Sequence, residues 1–238
     1  MFHEIKYMNR YALIIAKDYW GTIKGVETGM KFAHFLRDHK IVCEQNIEYL
    51  LQESVNANSV ISSLKDIVSK LSIDNTIVYV YMIGHGNEIR DSNGDEADGL
   101  DEVYQLPDGN VADDTISDII LSSNACDTSL LVLVSDHCSS GTMIDATIEN
   151  KGVHWLNISS SQSFEDSYTS GDGNIMTACL MNLLRKSNLN SYKVSAIIPD
   201  LSEEMKSSFI GDLQHPCISV SDPSVMTKYP FSPLHITQ

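Results

Sequence analysis

The chain has 238 residues, 42% of them hydrophobic, and a formal net charge of −16 at pH 7. This length fits one domain with a buried core, and the negative charge argues against nucleic acid or an anionic membrane as the main partner. Five widely spaced cysteines without a Cys-x-x-Cys pair indicate neither a disulfide framework nor a zinc ribbon. No apolar run has the length of a signal-peptide core or a membrane span, so we expect a cytoplasmic protein.

Strand-like and helix-like patterns alternate along the chain, which is typical of βαβ folds with a parallel sheet. Apolar periodicity predicts helices over residues 26–36, 60–71 and 175–184, with Asn58 or Ser59 as the cap of the second. A further helical pattern begins at Asp113 and Asp114, where acidic residues suit the amino end of a helix. Strands are predicted at Tyr11–Ile15, Ile41–Cys43, Thr76–Ile83, Leu130–Ser135, Val153–Ile158 and Lys193–Ile198. Prolines punctuate the tail, so only a short stretch around Ile218 is expected to be regular.

Two short motifs each follow a strongly apolar, strand-like run: Gly84-His85-Gly86 and Asp136-His137-Cys138-Ser139-Ser140-Gly141. Functional residues of open α/β sheets lie beyond the carboxyl ends of strands, so both motifs stand where a site is expected. If the two strands are neighbours, about 5 Å apart, His85 and Cys138 lie across one crevice within side-chain reach. A histidine about 50 residues before a cysteine is also the order seen in caspases. The pair therefore predicts a cysteine protease.

The chemistry of a nucleophilic thiol explains this pairing. An unperturbed thiol has a pKa of about 8.5 and is mostly protonated at neutral pH, so a neighbouring base has to activate it. His85 is the candidate base for Cys138, and the amides of Gly86 and Cys138 are candidate oxyanion-hole donors. His137 is a rival base by sequence, but adjacent residues on an extended segment point in opposite directions.

Residues 90–118 carry ten acidic side chains and a single basic one, Arg90. Such carboxylates repel one another unless they are solvated or bridged, and Ca²⁺ prefers hard oxygen ligands of this kind. Part of the segment matches EF-hand spacing, but Glu96 stands where that loop requires glycine, so the EF-hand hypothesis fails. A solvated acidic loop and a divalent-cation site remain as the two interpretations.

With these motifs in place, the chain resembles the metacaspases, the caspase-like cysteine peptidases of plants, fungi, protists and bacteria. Segments similar to those of the family extend over nearly the whole chain. They are Arg10–Ile15 with Tyr19–Thr22, Tyr81–Gly86, Gly94–Glu102, Ala112–Asp114, Asp136–Thr142 with Asp145, and Gln214–Ser219.

The resemblance implies an α/β protein of the caspase-like type, a three-layer αβα sandwich with a mainly parallel central sheet. It implies one catalytic domain over residues 1–238, with a large-subunit-like part to about 149 and a small-subunit-like part from about 150, in a monomer. It also implies a His85/Cys138 dyad and cleavage of protein or peptide substrates after arginine or lysine. Asp136 would form the floor of the S1 pocket, because a buried unpaired carboxylate favours a cationic side chain.

Ca²⁺ is the cofactor that the resemblance implies. The family's calcium-binding acids fall on Asp101, Asp113, Asp114 and Asp145 of this chain. Neutralisation of the acidic segment next to His85 would order the loops that shape the substrate groove.

The chain departs from the family's pattern next to the nucleophile and in the S1 pocket. Ser139 follows the cysteine where histidine is usual, and His137 precedes it where a small residue is usual. Ser163 occupies the position of an aspartate that helps to form S1, and Glu165 or Asp166 is the candidate substitute.

Two hypotheses of other classes remain beside the Ca²⁺-activated endopeptidase. One is a catalytically inactive caspase-like protein that binds partners through the same groove, which Ser163 and the altered flanks of Cys138 make conceivable. The other is a calcium-binding or acidic interaction protein whose thiol is incidental. Hydrolysis of an Arg-ended peptide and alkylation of Cys138 distinguish the three.

Overall fold

The computed structural model describes residues 9–19, 23–91, 93–94, 96, 99–144, 152–170, 173–208 and 212–234. The strands of this part are β1 (Asn9–Ala16), β2 (Ile47–Leu51), β3 (Thr76–Ile83), β4 (His85–Arg90), β5 (Leu100–Leu106), β6 (Gly109–Ala112), β7 (Leu130–Asp136), β8 (Trp155–Ser159), β9 (Thr169–Ser170), β10 (Gly173–Asn174) and β11 (Cys217–Val220). Its α-helices are α1 (Gly25–Asp38), α2 (Ala57–Val68), α3 (Asp113–Leu121), α4 (Ile175–Lys186) and α5 (Val194–Lys206). None of these helices is both long and apolar enough to cross a membrane.

The central sheet has six strands in the order β11-β8-β7-β3-β1-β2. All neighbouring pairs are parallel except β8 with β11, which closes one edge antiparallel. This confirms the predicted mainly parallel sheet. Four of the predicted strands, in β1, β3, β7 and β8, occur within two residues of their expected limits, because long apolar runs of this kind fit a sheet covered on both faces.

Helices cover both faces of this sheet. Ala12 and Ile14 of β1 belong to a hydrophobic cluster with α1, α4 and α5. The alternate residues Leu13 and Ile15 belong to a second cluster with α2 and α3. Because successive side chains of a strand point to opposite faces, one apolar strand fills both cores. The result is the expected three-layer αβα arrangement.

Two of the predicted strands are wrong. Residues 41–43 form no strand: the amides of Ile41 and Val42 both donate to the carbonyl of Leu36, at 2.8 and 3.2 Å, after Lys40 turns the chain with a φ of 57°. These buried apolar residues seal the end of α1, as is common where a helix ends in a left-handed residue. The second strand begins later, as β2.

The predicted strand Lys193–Ile198 is instead the start of α5. Val194, Ile197, Leu201 and Met205 are buried along one face of this helix. The helical period therefore continues past Pro199, and the packing of that face against the core outweighs the strand propensity of the β-branched residues. Helix α2 also begins earlier than predicted, since Asn56 is its cap and exchanges hydrogen bonds of 3.0 and 3.1 Å with Ser59.

The acidic segment contains regular structure and is not simply a solvated loop. Strands β4, β5 and β6 form a separate antiparallel sheet, and α3 follows directly with Asp113 and Asp114 in its first turn, as predicted. This small sheet continues from the end of β3 with only Gly84 between them. It therefore brings the acidic residues next to the edge where β3 and β7 end.

Candidate active site

The two motifs meet at the carboxyl edge of the central sheet. Strands β3 and β7 are parallel neighbours whose last paired residues are Ile83 and Asp136. His85 and Cys138 each lie two residues beyond this pair, so the expected juxtaposition of neighbouring strand ends is present. The two glycines that flank His85 show how closely the histidine and cysteine segments approach each other.

Both glycines of Gly84-His85-Gly86 are required by close packing. A Cβ on Gly84 would lie 2.9 Å from the ring and hydroxyl of Tyr104, whose hydroxyl donates to the carbonyl of Ile83 at 2.8 Å. A Cβ on Gly86 would overlap the carbonyl oxygen of Cys138 and the ring of His137. The residue next to His85 thus packs directly on the backbone of the cysteine, which only glycine permits.

His85 is half-buried at the start of β4. The ring of Tyr19 meets its imidazole edge-on, with 4.3 Å between the ring centroids. Burial lowers the pKa of His85, so the imidazole is neutral at pH 7 and able to accept a proton. No described residue forms a hydrogen bond with the ring, and an aromatic contact orients it in place of a carboxylate.

The Cys138 thiol is half-buried beneath a loop of residues 162–168, named the 162–168 loop below. The amide of Ser167 donates to its sulfur at 3.3 Å, and Asp166 precedes that residue in the same loop. Burial, and then the charge of Asp166, raise the pKa of Cys138 above its usual value, although the Ser167 amide opposes this. In this arrangement the Cys138 sulfur is protonated and the His85 imidazole is neutral at pH 7, because burial raises the pKa of the thiol and lowers that of the imidazole.

His137 is fully buried on the inner side of the cysteine loop. Its ring lies 5.5 Å from that of Tyr104, and its Nδ1 is 2.9 Å from the carbonyl oxygen of Cys138. Burial lowers the pKa of His137 to about 4. Hydroxyls of Ser160 and Ser161 donate to its carbonyl at 3.0 and 3.1 Å, which ties the cysteine loop to the end of β8.

Asp136 has no exposed surface. Its carboxylate accepts hydrogen bonds from the hydroxyls of Thr177, Ser167 (3.3 Å) and Tyr81 (3.4 Å). Burial raises the pKa of Asp136, because three neutral donors do not replace the solvation of the charge. No lysine or arginine in the described ranges shares these contacts. Thr177, Ser167 and Tyr81 were missed by the sequence analysis, since a lone hydroxyl within an apolar helix, a loop or a strand carries no pattern of its own.

The three other residues predicted for the S1 pocket have different surroundings. The Ser163 hydroxyl donates to Glu102 Oε1 at 2.7 Å. The Glu165 carboxylate contacts His215 Nδ1 at 2.6 Å and accepts from the His215 amide at 3.1 Å. Asp166 is the member of the three whose charge raises the pKa of Cys138.

A cluster of three carboxylates, named the acidic cluster below, lies next to this loop. It consists of Glu96, Glu102 and Asp113, whose ligand oxygens all lie within 4.8 Å of one another. Of the four predicted calcium ligands, Asp113 belongs to this cluster. Asp114 accepts from the Asn93 side chain at 2.9 and 3.0 Å, Asp101 is buried on β5, and Asp145 lies outside the described residues. Glu96 and Glu102 were not predicted as members of such a cluster, because the spacing of the acids does not show which of them converge.

The acidic cluster fits a divalent cation. Glu102 is 2% exposed, and its Oε2 atom has no hydrogen-bond partner among the described residues. Burial, and then the nearby Glu102 carboxylate, raise the pKa of Asp113 to about 8. Buried carboxylates without a cationic partner are costly, and hard oxygen donors in this number suit Ca²⁺.

Comparison with known proteins supports the family suggested by the motifs. A family model described as the metacaspase, peptidase C14 domain matches residues 10–147. Among solved structures, a protein of Geobacter sulfurreducens superposes with a TM-score of 0.73 over 95% of this chain and 100% of that one. Its sequence is 16% identical, so this likeness concerns the fold.

Three yeast proteins named Metacaspase-1 are similar in sequence. The protein of Candida glabrata is 38% identical over 85 residues, 33% of this chain and 21% of that protein. The one of Kluyveromyces lactis is 31% identical over 131 residues, 49% and 30% of the two chains. The one of Saccharomyces cerevisiae is 28% identical over 161 residues, 60% and 37% of the two chains. The chain thus matches well under half the length of each relative.

Proposed function

Since the chain belongs to the metacaspase family of cysteine peptidases, we propose that it is a Ca²⁺-activated endopeptidase that cleaves proteins or peptides after arginine or lysine. One observation carries the proposal: the pairing of β3 with β7 sets His85 and Cys138 at one sheet edge, with the buried Asp136 directly before the cysteine loop. A base, a nucleophile and a carboxylate specific for cations are the three groups that this reaction requires.

His85 acts as the general base in the proposed mechanism. Because the pKa of Cys138 is raised and that of His85 is lowered, the resting pair is a thiol and a neutral imidazole rather than an ion pair. His85 takes the thiol proton as sulfur attacks the scissile carbonyl carbon, so that an S–C bond forms. The proton then passes to the leaving amine as the peptide C–N bond breaks.

The second half of the reaction regenerates the enzyme. Water attacks the thioester carbon while His85 accepts its proton, the C–S bond breaks, and the proton returns to sulfur. The amides of Gly86 and Cys138 are the proposed donors to the oxyanion in both halves. Their proximity is supported by the contact between Gly86 and the Cys138 backbone.

Specificity for a basic residue follows from the surroundings of Asp136. A carboxylate that is buried and bonded only to hydroxyls gains most from a cation that enters beside it, whereas an acidic side chain would be repelled. Glu165 and Ser163 are occupied by His215 and Glu102, so we assign the main S1 charge to Asp136, with Asp166 as a second carboxylate near the thiol.

Ca²⁺ is the proposed cofactor of the acidic cluster, and its charge, when bound, offsets the repulsion among Glu96, Glu102 and Asp113. Asp101, Asp114 and Asp145 remain candidates for further ligands. We also propose a monomer in the cytoplasm, where the five unpaired cysteines stay reduced.

Hydrolysis of a fluorogenic peptide that ends in arginine, with and without CaCl₂, tests the proposal. We expect cleavage that requires calcium and that Cys138→Ala reduces by about 10⁴-fold or more. The same peptide ending in aspartate is the control. Absence of cleavage by the folded wild type would favour the alternative of an inactive protein that binds partners through this groove.

A further inference from the structure

The 162–168 loop holds the nucleophile from one side. Its Ser167 amide donates to the Cys138 sulfur at 3.3 Å, and the charge of its Asp166 raises the pKa of the thiol. Its Glu165 carbonyl accepts from the amide of Ser139 at 2.9 Å, and Ser139 has a left-handed φ of 47°. The position of this loop therefore determines whether the thiol is covered.

Two glutamates of the small sheet anchor the other end of this loop. Ser163 Oγ donates to Glu102 Oε1 at 2.7 Å, and the amide of Phe164 donates to Glu88 Oε1 at 2.8 Å. Glu88 and Glu102 stand directly opposite each other on β4 and β5. Phe164 has a φ of 64° and a 65% exposed side chain, so neither backbone preference nor burial favours this conformation at Phe164. The two anchors hold this end of the loop, while Glu165 is bonded to His215 and Ser139 at the other.

Glu102 belongs to two sites at once. Its Oε1 receives the Ser163 hydroxyl, and its buried Oε2 has no partner among the described residues. The same carboxylate contributes an oxygen to the acidic cluster with Glu96 and Asp113. A carboxylate that coordinates a divalent cation gives up electron density and becomes a weaker hydrogen-bond acceptor. Occupation of the cluster therefore weakens the Ser163 bond without any displacement of distant residues.

We propose that Ser163 is a positioning residue, and that its bond to Glu102 holds the 162–168 loop against Cys138 until a cation binds the acidic cluster. This inference rests on the proposed function and assigns Ser163 a role other than lining the S1 pocket. Glu88 anchors the same loop but does not belong to the acidic cluster, so its bond to the Phe164 amide should not depend on the cation.

The test is the rate at which iodoacetamide alkylates Cys138, measured by mass spectrometry of the Cys138 peptide, since four other cysteines are present. In the wild type we expect CaCl₂ to raise this rate about fivefold or more, the usual size of a coupling between two sites. In Ser163→Ala the calcium-free rate should already be high and calcium should add little. Ser163→Thr keeps the hydroxyl and should restore the response.

Matched measurements separate the proposed role from general loosening. Glu88→Gln keeps an oxygen acceptor for Phe164 and should respond to calcium as the wild type does. Calorimetry should show that Ser163→Ala still binds calcium. A wild type whose alkylation ignores calcium, a Ser163→Ala variant that responds normally, or one that no longer binds calcium would each overturn the inference.

Peptide hydrolysis measured in parallel separates this inference from the proposed function. A wild type that cleaves the Arg-ended peptide, together with a normal calcium response in Ser163→Ala, refutes only the role of Ser163. A wild type that cleaves nothing, yet shows alkylation that depends on calcium and Ser163, refutes only the peptidase.

Discussion

The protein buries carboxylates in two places and satisfies them differently. Asp136 accepts hydrogen bonds from three hydroxyls, each on a different element. In the acidic cluster, Glu102 accepts from one side chain of the described ranges, that of Ser163, and its Oε2 has no partner there. No lysine or arginine of the described ranges contacts Asp136 or Glu102. The described part of the chain therefore offers neither Asp136 nor Glu102 a basic partner.

This difference indicates which kind of ligand each site is suited to bind. Hydroxyl donors fix the Asp136 carboxylate in one orientation, which suits repeated entry and exit of a substrate cation. The bare oxygen of the acidic cluster suits a ligand that bonds directly to oxygen, such as a metal ion. A ligand that binds only the folded state also stabilises it, so each site should report its ligand in the unfolding temperature.

The largest effect is expected from Asp136→Asn. Loss of a buried charge that pairs with substrate should lower kcat/KM for the Arg-ended peptide by about 100-fold or more. A peptide ending in citrulline, a neutral analogue of arginine, should lose far less. Steady-state kinetics on the two peptides check this.

The same variant should be at least as stable as the wild type at pH 7. Burial raises the pKa of Asp136, so the stability that its protonated form contributes is lost as pH rises through the folded-state pKa. The asparagine side chain of the variant does not ionise, and thermal unfolding should show the advantage of Asp136→Asn at pH 7 shrinking toward acidic pH. If Asp136→Asn lowered kcat/KM equally for the Arg-ended and the citrulline-ended peptide, the loss would indicate misfolding rather than a lost site for a cation.

His137 provides the next largest effect, on stability. Its pKa is about 4 in the folded protein, below the usual histidine value, so neutral His137 contributes stability that disappears as pH falls from about 6.5 toward 4. The loss amounts to about 3 kcal/mol. Urea unfolding of His137→Phe should show a shallower pH dependence than the wild type in this window, whereas exposed His34→Phe should follow the wild type. An unchanged slope would mean that the buried ring is not the titrating group.

Glu102→Gln tests the acidic cluster. Removal of one carboxylate should weaken calcium binding by about tenfold or more, since even indirect partners of a metal contribute 10- to 100-fold. Without calcium, the variant should unfold at a higher temperature than the wild type, because like charges no longer face each other. Calorimetry checks the weaker calcium binding, and thermal unfolding without calcium checks the higher unfolding temperature. Wild-type calcium affinity in the variant would exclude Glu102 as a ligand.

The strand ends at the site could be predicted from sequence, because β3 and β7 consist mainly of apolar residues and each leads directly into one of the two motifs. The surroundings of Asp136 could not, since Tyr81, Ser167 and Thr177 come from a strand, a loop and a helix far apart in the chain. The packing of Gly84 against Tyr104 and of Gly86 against Cys138 is visible only in three dimensions.

The acidic segment shows the same limit in another form. Its composition left a solvated loop and a cation site as alternatives, and the members of the cluster come from the connection between β4 and β5, from β5 and from the start of α3. Short polar strands such as β4 and β6 leave little periodicity, so the pairing that collects Glu96, Glu102 and Asp113 cannot be deduced from spacing. The strand predicted at Lys193–Ile198 was wrong for a different reason. A brief run that contains β-branched residues fits a strand or a helix, and packing against the core favours the helix α5.

The smallest effect is expected from Asp166→Asn, which separates the effect of a nearby carboxylate on the Cys138 pKa from the effect of burial. The Asp166 carboxylate raises the pKa of Cys138 after burial does, so its removal should move the pH midpoint of calcium-free alkylation downward by up to about one unit. The midpoint should stay above that of a free thiol, because burial remains. Asp118→Asn, at an exposed position on α3, is the control and should not shift the midpoint. An unchanged midpoint in Asp166→Asn would show that burial alone raises the pKa of the Cys138 thiol. The 162–168 loop would then act on Cys138 only by covering it.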